Sequence, residues 1–304
     1  MRKSILKSIE EALDLNPDVI FIGSDLGHGV LNEARKKNPD RVLIEGISEQ
    51  HIIGMASGLA LGGHKVFVHT IGTFLYRRAY EQIYIDVALH NLNVFIVGSG
   101  GGMVYAPLGP THQSVEDIKI LSSIPGLKIF LPCDSYETQQ IVKSCLVNQG
   151  PAYVRLGKGG EKIISNSWRE IPGFHSKVAN EGDTLTVVSC GAISQEVFAA
   201  ISRAKELGIN PRHIHIAEFG ELDSDEILNE ITLQTKGILI VEEHIPSGGL
   251  KSKILENLNQ MQIAITHLSL SFEFSTNYGS QKEHWVKNGI DSENILIKIQ
   301  DLYM

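Results

Sequence analysis

Cysteine is scarce in this sequence of 304 residues, where only Cys133, Cys145 and Cys190 occur. Their spacing matches no common metal site, and an odd number of cysteines does not form a complete set of disulfides. We therefore expect three free thiols that are buried as small hydrophobic groups, in a protein of a reducing compartment. A secreted, disulfide-stabilised scaffold is excluded.

Long apolar runs are missing as well, since no stretch approaches the roughly 20 residues that a membrane helix needs. The amino terminus, residues 1–13, alternates charged and apolar residues at helical spacing. This pattern predicts an amphipathic helix and is unlike the continuous apolar segment of a signal peptide. Together these features predict a cytoplasmic protein that does not insert into a membrane.

The sequence also lacks clusters of basic residues. The groups at residues 35–37 and 77–78 are short and flanked by acids, and the formal net charge is -8. Binding to a nucleic-acid backbone needs a surface rich in lysine and arginine, so nucleic acid is excluded as the main partner. Hydrophobic residues make up 42% and charged residues 20%, which is typical of a folded globular protein.

Short apolar runs alternate with helical patterns through the first half of the chain. Strands are predicted at residues 18–23, 42–45, 66–69, 94–98, 128–131 and 152–155. Helices are predicted near residues 50–61, 75–90, 114–122 and 135–148. This alternation predicts an α/β fold, with a doubly wound, largely parallel sheet that has helices on both faces.

Between residues 157 and 180 the pattern changes to glycine-rich and serine-rich sequence with a Pro-Gly pair, which is typical of a domain boundary. We therefore predict a first domain over residues 1–160, a linker over 161–180 and a second domain over 181–304. The second domain repeats the alternation on a smaller scale, with strands at 184–190, 212–217, 237–242 and 263–268. Its helices are predicted at 191–207, at 224–235 and near 249–258.

Polar residues with catalytic potential occur at three positions in the first domain. Asp25 and His28 lie in a glycine-rich turn after the first strand, which lacks the spacing of both common nucleotide-binding loops. They are either ligands at the carboxyl edge of the sheet or turn-forming residues. Glu49 begins a predicted helix, where Ser48 is a candidate cap and a carboxylate suits the helix dipole.

The third position is His112, in a loop over residues 98–113 that is too long and too rich in glycine to be a mere connection. A helix predicted to begin at Ser114 would favour the neutral form of the imidazole. In the second domain, residues 242–244 and His284 lack the ligand spacing of zinc sites.

Three separated motifs carry a family resemblance. Residues 45–82, the loop Gly109–Gln113 and the strand Tyr153–Arg155 together resemble the pyrimidine-binding half of thiamine-diphosphate enzymes of the transketolase type. Residues 48–51 and 73–82 look most like 1-deoxyxylulose-5-phosphate synthase, whereas the chain length resembles the β subunit of 2-oxoacid dehydrogenases. The Gly-Pro-Thr-His-Gln loop has the transketolase form, and the resemblance covers the whole chain.

The resemblance implies a role for each matching residue. Glu49 would share a proton with N1′ of the cofactor's aminopyrimidine, which promotes removal of the thiazolium C2 proton. Phe74 and Tyr80 would stack on the pyrimidine. His112 would donate a hydrogen bond to the developing alkoxide or move a proton. Arg155 would pair with a phosphate or carboxylate of the substrate.

Two departures from the family pattern qualify this assignment. Transketolases also carry an amino-terminal domain that binds the diphosphate and Mg²⁺ through a Gly-Asp-Gly segment and an asparagine, and this sequence has no such segment. The diphosphate and metal ligands are therefore expected on a partner, an amino-terminal transketolase subunit, in an α2β2 assembly. Leu108 replaces the family's aspartate that contacts a substrate hydroxyl; with Asp25 and His28 it completes the predicted substrate site.

The sequence therefore predicts the carboxyl-terminal subunit of a split transketolase that moves a ketol unit between sugar phosphates or related sugars. The alternatives are the β subunit of a 2-oxoacid dehydrogenase, an enzyme similar to 1-deoxyxylulose-5-phosphate synthase, and a non-catalytic subunit of the same fold. The dehydrogenases usually have a His-Ser-Gln type of sequence where this chain has residues 111–113, Thr-His-Gln. The motifs do not indicate which sugars react.

Overall fold

Two six-stranded sheets form the framework of the protein. The computed structural model describes residues 1–24, 31–258, 263–276 and 278–303. The first sheet contains β1 (Val19–Gly23), β2 (Val42–Ile44), β3 (Lys65–Ile71), β4 (Val94–Ser99), β5 (Lys128–Phe130) and β6 (Ala152–Leu156). Its strand order is β2-β1-β3-β4-β6-β5, and every neighbouring pair is parallel. The predicted strands and the predicted fold class are confirmed.

Helices cover both faces of this sheet because its central strands are apolar on both sides; β1 and β4 are buried along their whole length. The helices are α1 (Arg2–Leu15), α2 (Asn32–Lys37), α3 (Glu49–Leu61), α4 (Gly72–Arg78), α5 (Tyr80–Gln82), α6 (Asp117–Leu121) and α7 (Ser135–Val147). The single helix predicted over residues 75–90 is wrong: the chain forms α4, α5 and a π-helical segment, Ile83–Ala88.

The second sheet contains β7 (Arg169–Glu170), β8 (Lys177–Asn180), β9 (Leu185–Cys190), β10 (Arg212–Ile216), β11 (Gly237–Val241) and β12 (Ala264–Leu268). Its order is β12-β11-β9-β10-β8-β7, in which β7 and β8 are antiparallel additions to a parallel core. The accompanying helices are α8 (Ser194–Glu206), α9 (Asp225–Thr232), α10 (Leu250–Asn257), α11 (Gln281–Lys287) and α12 (Ser292–Tyr303).

The segment predicted as a linker, residues 161–180, contributes β7 and β8 to the edge of the second sheet. These strands are too short and too polar for their pattern to be recognised from the sequence. The domain limits themselves stay a prediction. Among the helices of the described ranges, none combines the length and the apolar character that crossing a membrane requires.

Backbone hydrogen bonds join the two domains beyond the end of β5. The Leu131 amide donates to the Ala217 carbonyl at 2.7 Å, and the Gly191 amide donates to the Leu131 carbonyl at 3.1 Å. All three cysteines are free and buried, as predicted. The domains therefore meet near the carboxyl edge of the first sheet, on the side where its loops carry the candidate residues.

Candidate active site

Glu49 is the first residue of α3, and its side chain is only 4% exposed although it carries a carboxylate. Ser48 occupies the N-cap position, but its side chain makes no cap hydrogen bond and its hydroxyl instead donates to the Gly46 carbonyl at 3.5 Å. The capping role considered for Ser48 is therefore wrong. A buried carboxylate needs a partner, and Glu49 finds it in another helix.

The partner is Arg78, in the last turn of α4. Its Nη1 donates to Oε2 of Glu49 at 3.0 Å, and its guanidinium carbon lies 4.1 Å from the centroid of the Phe74 ring. Arg78 thus makes an ion pair and a cation–π contact at the same time. No role was predicted for Arg78 from the sequence. Its neighbour Arg77 has a different partner, Glu116.

Phe74 also contacts His112, with ring centroids 5.1 Å apart and an interplanar angle of 71°. This edge-to-face contact brings a residue of α4 against the long loop of the first domain. Glu49, Arg78, Phe74 and His112 consequently form one continuous row of contacts. Three of the four were selected from the sequence, and the structure brings these three into the same site.

The loop that carries His112 has a defined shape. Gly102 and Ser114 exchange two backbone hydrogen bonds, which close the loop at its base. Gly109 has φ 81°, a left-handed conformation that favours glycine, and its carbonyl accepts the amide of His112 at 3.0 Å. Nδ1 of His112 lies 2.9 Å from the Thr111 hydroxyl. The imidazole is therefore oriented by its own loop.

The following helix, α6, begins at Asp117 rather than at Ser114 as predicted. His112 lies five residues before this start, beyond the first turn where a helix dipole acts. The predicted effect of this helix on the His112 side chain is therefore wrong.

Arg155 is buried at 5% exposure on β6. Its Nε donates to Oδ2 of Asp117 at 2.9 Å, and its Nη2 donates to the carbonyls of Ser114 at 3.1 Å and Glu243 at 2.9 Å. Although burial alone would lower the pKa of Arg155, the carboxylate of Asp117 raises it above its ordinary value. Arg155 thus ties the base of the loop to both domains; its binding of substrate stays a prediction.

The remaining predicted residues are more scattered. The Tyr80 hydroxyl lies 2.9 Å from the Ser123 hydroxyl, on the side of α6, and stacking of Tyr80 on a pyrimidine stays a prediction. Leu108 ends a short 3-10 helix, Ala106–Leu108, and is 54% exposed. Asp25 and His28 lie outside the described residues.

The second-domain carboxylates have structural partners. Glu242 accepts the amides of Leu250 and Lys251 at the start of α10, at 2.8 and 3.2 Å. Glu243 reaches the first domain and accepts the Met103 amide at 2.9 Å. These contacts pair both carboxylates with backbone amides.

An apolar cavity of about 420 Å³ opens beside the His112 loop. It is lined by Arg77, Pro110, Gln113, Val115, Glu116, Ile245, Phe272, Glu273 and Phe274. Phe272 and Phe274, from the second domain, are strongly exposed. In the described part of the chain, the buried Nε2 of Gln113 has no hydrogen-bond partner. The cavity therefore borders the loop that carries His112 and is lined by residues of both domains.

The contacts of Arg78 indicate how Glu49 and Phe74 could bind a thiamine cofactor. Its guanidinium is planar, donates an N–H to Glu49 and lies over the face of Phe74. An aminopyrimidine would have to make the same two kinds of contact, a hydrogen bond to the carboxyl group and a stack on the ring. The residues present therefore fit the pyrimidine half of the cofactor, provided that Arg78 moves aside.

Two protein-family models together match nearly the whole chain. The model of the transketolase pyrimidine-binding domain matches residues 1–160, and that of the transketolase C-terminal domain matches residues 175–295. One of the subunits of an apulose-4-phosphate transketolase from Phocaeicola vulgatus is 30% identical over 296 residues, which cover 97% of this chain and 94% of that protein.

Two further similarities bear on the function. The 1-deoxy-D-xylulose-5-phosphate synthase of Prochlorococcus marinus is 33% identical over 259 residues, which cover 83% of this chain but only 40% of that enzyme. A split-gene transketolase solved as an inactive β4 tetramer superposes with a TM-score of 0.83 at 27% identity, and the match covers 99% of this chain and 96% of that one.

Proposed function

We propose that this chain, which belongs to the transketolase family, is the subunit of a split transketolase that carries the pyrimidine-binding and carboxyl-terminal domains. With a partner subunit it transfers a ketol unit between sugar phosphates. The observation that carries the proposal is the alignment of nearly the full chain with nearly the full length of one transketolase subunit.

Each residue of the row has a chemical task in this reaction. Thiamine diphosphate, when bound, supplies an acidic thiazolium C2–H that becomes the nucleophile. The buried carboxyl group of Glu49 would share a proton with the pyrimidine N1′ of the cofactor. Phe74 orients the pyrimidine by stacking. His112, at the edge of Phe74, donates a hydrogen bond to the substrate oxygen on which negative charge develops.

Arg78 must leave Glu49 and Phe74 before the pyrimidine binds. Its side chain is 47% exposed, so it can turn into solvent without the cost of burying a charge. The buried carboxyl group of Glu49 must keep a hydrogen-bond partner, and the pyrimidine would take the place of Arg78. We therefore assign Arg78 as a competitor for the pyrimidine site in the cofactor-free chain.

The partner subunit would bind the diphosphate and Mg²⁺, which prefers oxygen ligands and substrate phosphates. Exposed apolar side chains beside the site support a surface that a partner covers: Ile47, close to Glu49 in sequence, is 74% exposed, and Phe274 is 89% exposed. Since each cofactor would lie between two kinds of subunit, the proposed assembly is α2β2.

For the substrate we propose a ketose phosphate of the apulose 4-phosphate class, after which the similar Phocaeicola vulgatus transketolase is named. Leu108 would give this substrate an apolar wall where an aspartate would accept a hydroxyl hydrogen bond. The alternative activity, that of a 1-deoxyxylulose-5-phosphate synthase, is favoured by the 33% identity to such an enzyme. Parallel assays of the reconstituted complex with ketose phosphates and with a 2-oxo acid donor separate the two activities.

The decisive experiment is Glu49→Gln in the reconstituted complex. Glutamine keeps the size of the side chain but cannot share the proton, so turnover should fall by at least about 10²-fold, the lower limit for general acid–base groups. Exchange of the thiazolium C2 proton, followed by NMR after acid quench, should slow in parallel. Glu206→Gln, at an exposed end of α8, is the matched control and should exchange normally. Normal exchange in Glu49→Gln would refute the proposed role.

A further inference from the structure

A second group of reactive side chains is buried where the two domains meet, and the proposed reaction uses none of them. Cys133 lies shortly after β5, Glu137 lies in the first turn of α7, and His215 lies on β10. One potential ligand atom of each residue, a sulfur, an oxygen and a nitrogen, lies within 4.8 Å of the other two. All three residues are almost completely buried.

The imidazole of His215 is held from both sides. Its Nε2 lies 3.0 Å from Oε2 of Glu137, and its Nδ1 lies 2.9 Å from the hydroxyl of Ser194. Histidines that bind a metal through one nitrogen usually make a hydrogen bond through the other, which sets the tautomer and the ring orientation. Ser194 supplies this bond here, and its hydroxyl in turn lies 2.8 Å from that of Ser189.

The two carboxylate oxygens of Glu137 differ in their contacts. Its Oε2 accepts the backbone amide of Cys133 at 2.8 Å, whereas the buried Oε1 has no hydrogen-bond partner among the described residues. Leaving a buried carboxylate oxygen unpaired is costly, since such oxygens normally accept hydrogen bonds or bind a cation. This oxygen is an independent sign that a ligand belongs in the cluster.

The charges near the cluster leave room for a divalent cation. Asp134 accepts hydrogen bonds from the amides of Ile164 and Ser165, each at 2.8 Å. One thiolate, one carboxylate and one neutral imidazole carry a total charge of minus two. A divalent ion would therefore make the buried site neutral, which avoids the penalty of an uncompensated buried charge.

The mixture of ligand atoms selects the kind of metal. Sulfur, nitrogen and oxygen together suit Zn²⁺, whereas Mg²⁺ and Ca²⁺ prefer oxygen alone. Glu137 also borders a surface cavity of about 400 Å³ that Glu170, His175 and Lys177 share. Glu137 is the member of the cluster that borders this cavity, so an ion would enter along its side chain.

We propose that Cys133, Glu137 and His215 form a zinc-class metal site that links the two domains. On binding, the Cys133 thiol loses its proton to solvent, and the proton of His215 resides on Nδ1, which donates to Ser194. The step needs no oxidant or reductant. The metal would tighten the domain junction and is separate from the Mg²⁺ of the cofactor.

The test is a Co²⁺ titration of the full chain after removal of metal by chelation. We expect one equivalent to bind, to give a thiolate-to-cobalt charge-transfer band and to be displaced by Zn²⁺. Cys133→Ser should lose the band. Cys145→Ser, which removes a buried thiol outside the cluster, is the matched control and should keep it. Ser194→Ala should weaken Zn²⁺ binding by about 10- to 100-fold, the usual effect of losing a hydrogen bond to a ligand.

Absence of the band in the wild type, or its persistence in Cys133→Ser, would overturn the proposal. If Cys133→Ser does not fold, thermal melting of the wild type tests the metal site instead. Zn²⁺ at micromolar concentration should raise the melting temperature, while Mg²⁺ at the same concentration should not. Equal melting temperatures in both ions would also overturn it.

Discussion

Replacing Arg155 by methionine should destabilise the chain by about 3–5 kcal/mol, the usual cost of removing one partner of a buried ion pair. Arg155 donates hydrogen bonds to Asp117, to the Ser114 carbonyl and to the Glu243 carbonyl, and both charged side chains of the pair are almost completely buried. Methionine fills much of the aliphatic volume, so the loss comes from polar groups rather than from a cavity.

Asp117 accounts for most of the expected loss. Without Arg155, the described donor that remains to its side chain is the Tyr153 hydroxyl, at 3.1 Å, and one neutral hydrogen bond does not balance a buried charge. The double variant Arg155→Met with Asp117→Asn should therefore be more stable than Arg155→Met alone, because the unpaired charge is gone. Such recovery would identify the ion pair as the cause.

Urea unfolding of the isolated chain measures both effects. Arg203→Met is the matched control, since its ion pair with Glu293 is exposed on the surface, and it should leave the unfolding midpoint unchanged. A loss below about 1 kcal/mol for Arg155→Met would refute the reasoning, given the 3–5 kcal/mol that removing one partner of a buried pair costs. If the substrate KM of the complex rose instead, Arg155 would be a substrate ligand, as the family resemblance implies.

Three further results are expected. Arg78→Met should lower the KM for thiamine diphosphate, because it frees Glu49 and Phe74 for the pyrimidine; an unchanged or higher KM would contradict the competition. Burial, with a smaller effect of a nearby arginine, lowers the pKa of His69 from 6.5 to about 4. The unfolded chain therefore binds an extra proton in this window, and stability should fall as the pH drops from 6.5 to 4. His69→Gln should remove this part of the pH dependence in urea titrations; an unchanged slope would contradict it. Leu108→Asp in the complex should shift the ratio of kcat/KM values toward xylulose 5-phosphate by about 10- to 100-fold, and a constant ratio would show that Leu108 does not line the substrate site.

Local patterns sufficed for most of the framework. Short apolar runs identified every parallel strand, because a strand buried on both faces must be apolar throughout, as β1 and β4 are. Helices α2, α11 and α12 were missed. Of these, α11 carries a recognisable signal in Ser280 and Glu283, which form a capping box, so closer attention to that spacing would have found it.

Most residues of the candidate site were predicted from the sequence, but the contacts among them were not. The motifs selected Glu49, Phe74 and His112, yet nothing in a linear pattern indicates that Arg78 joins Glu49 to Phe74. Its pairing depends on how α3 packs against α4, which is a property of the tertiary structure. The position of α6 was also misjudged by three residues, which removed the reason given for a neutral His112.

The sequence by itself determined the fold class and the family, because these follow from local periodicity and from short motifs. Only the tertiary structure decided which buried charges meet. Glu137, in α7 of the first domain, and His215, in β10 of the second domain, are 78 residues apart. Arg155 and Glu243, which also form a hydrogen bond, are 88 residues apart. A buried charge needs a partner, and the packing of the two domains determines which residue lies close enough to be that partner.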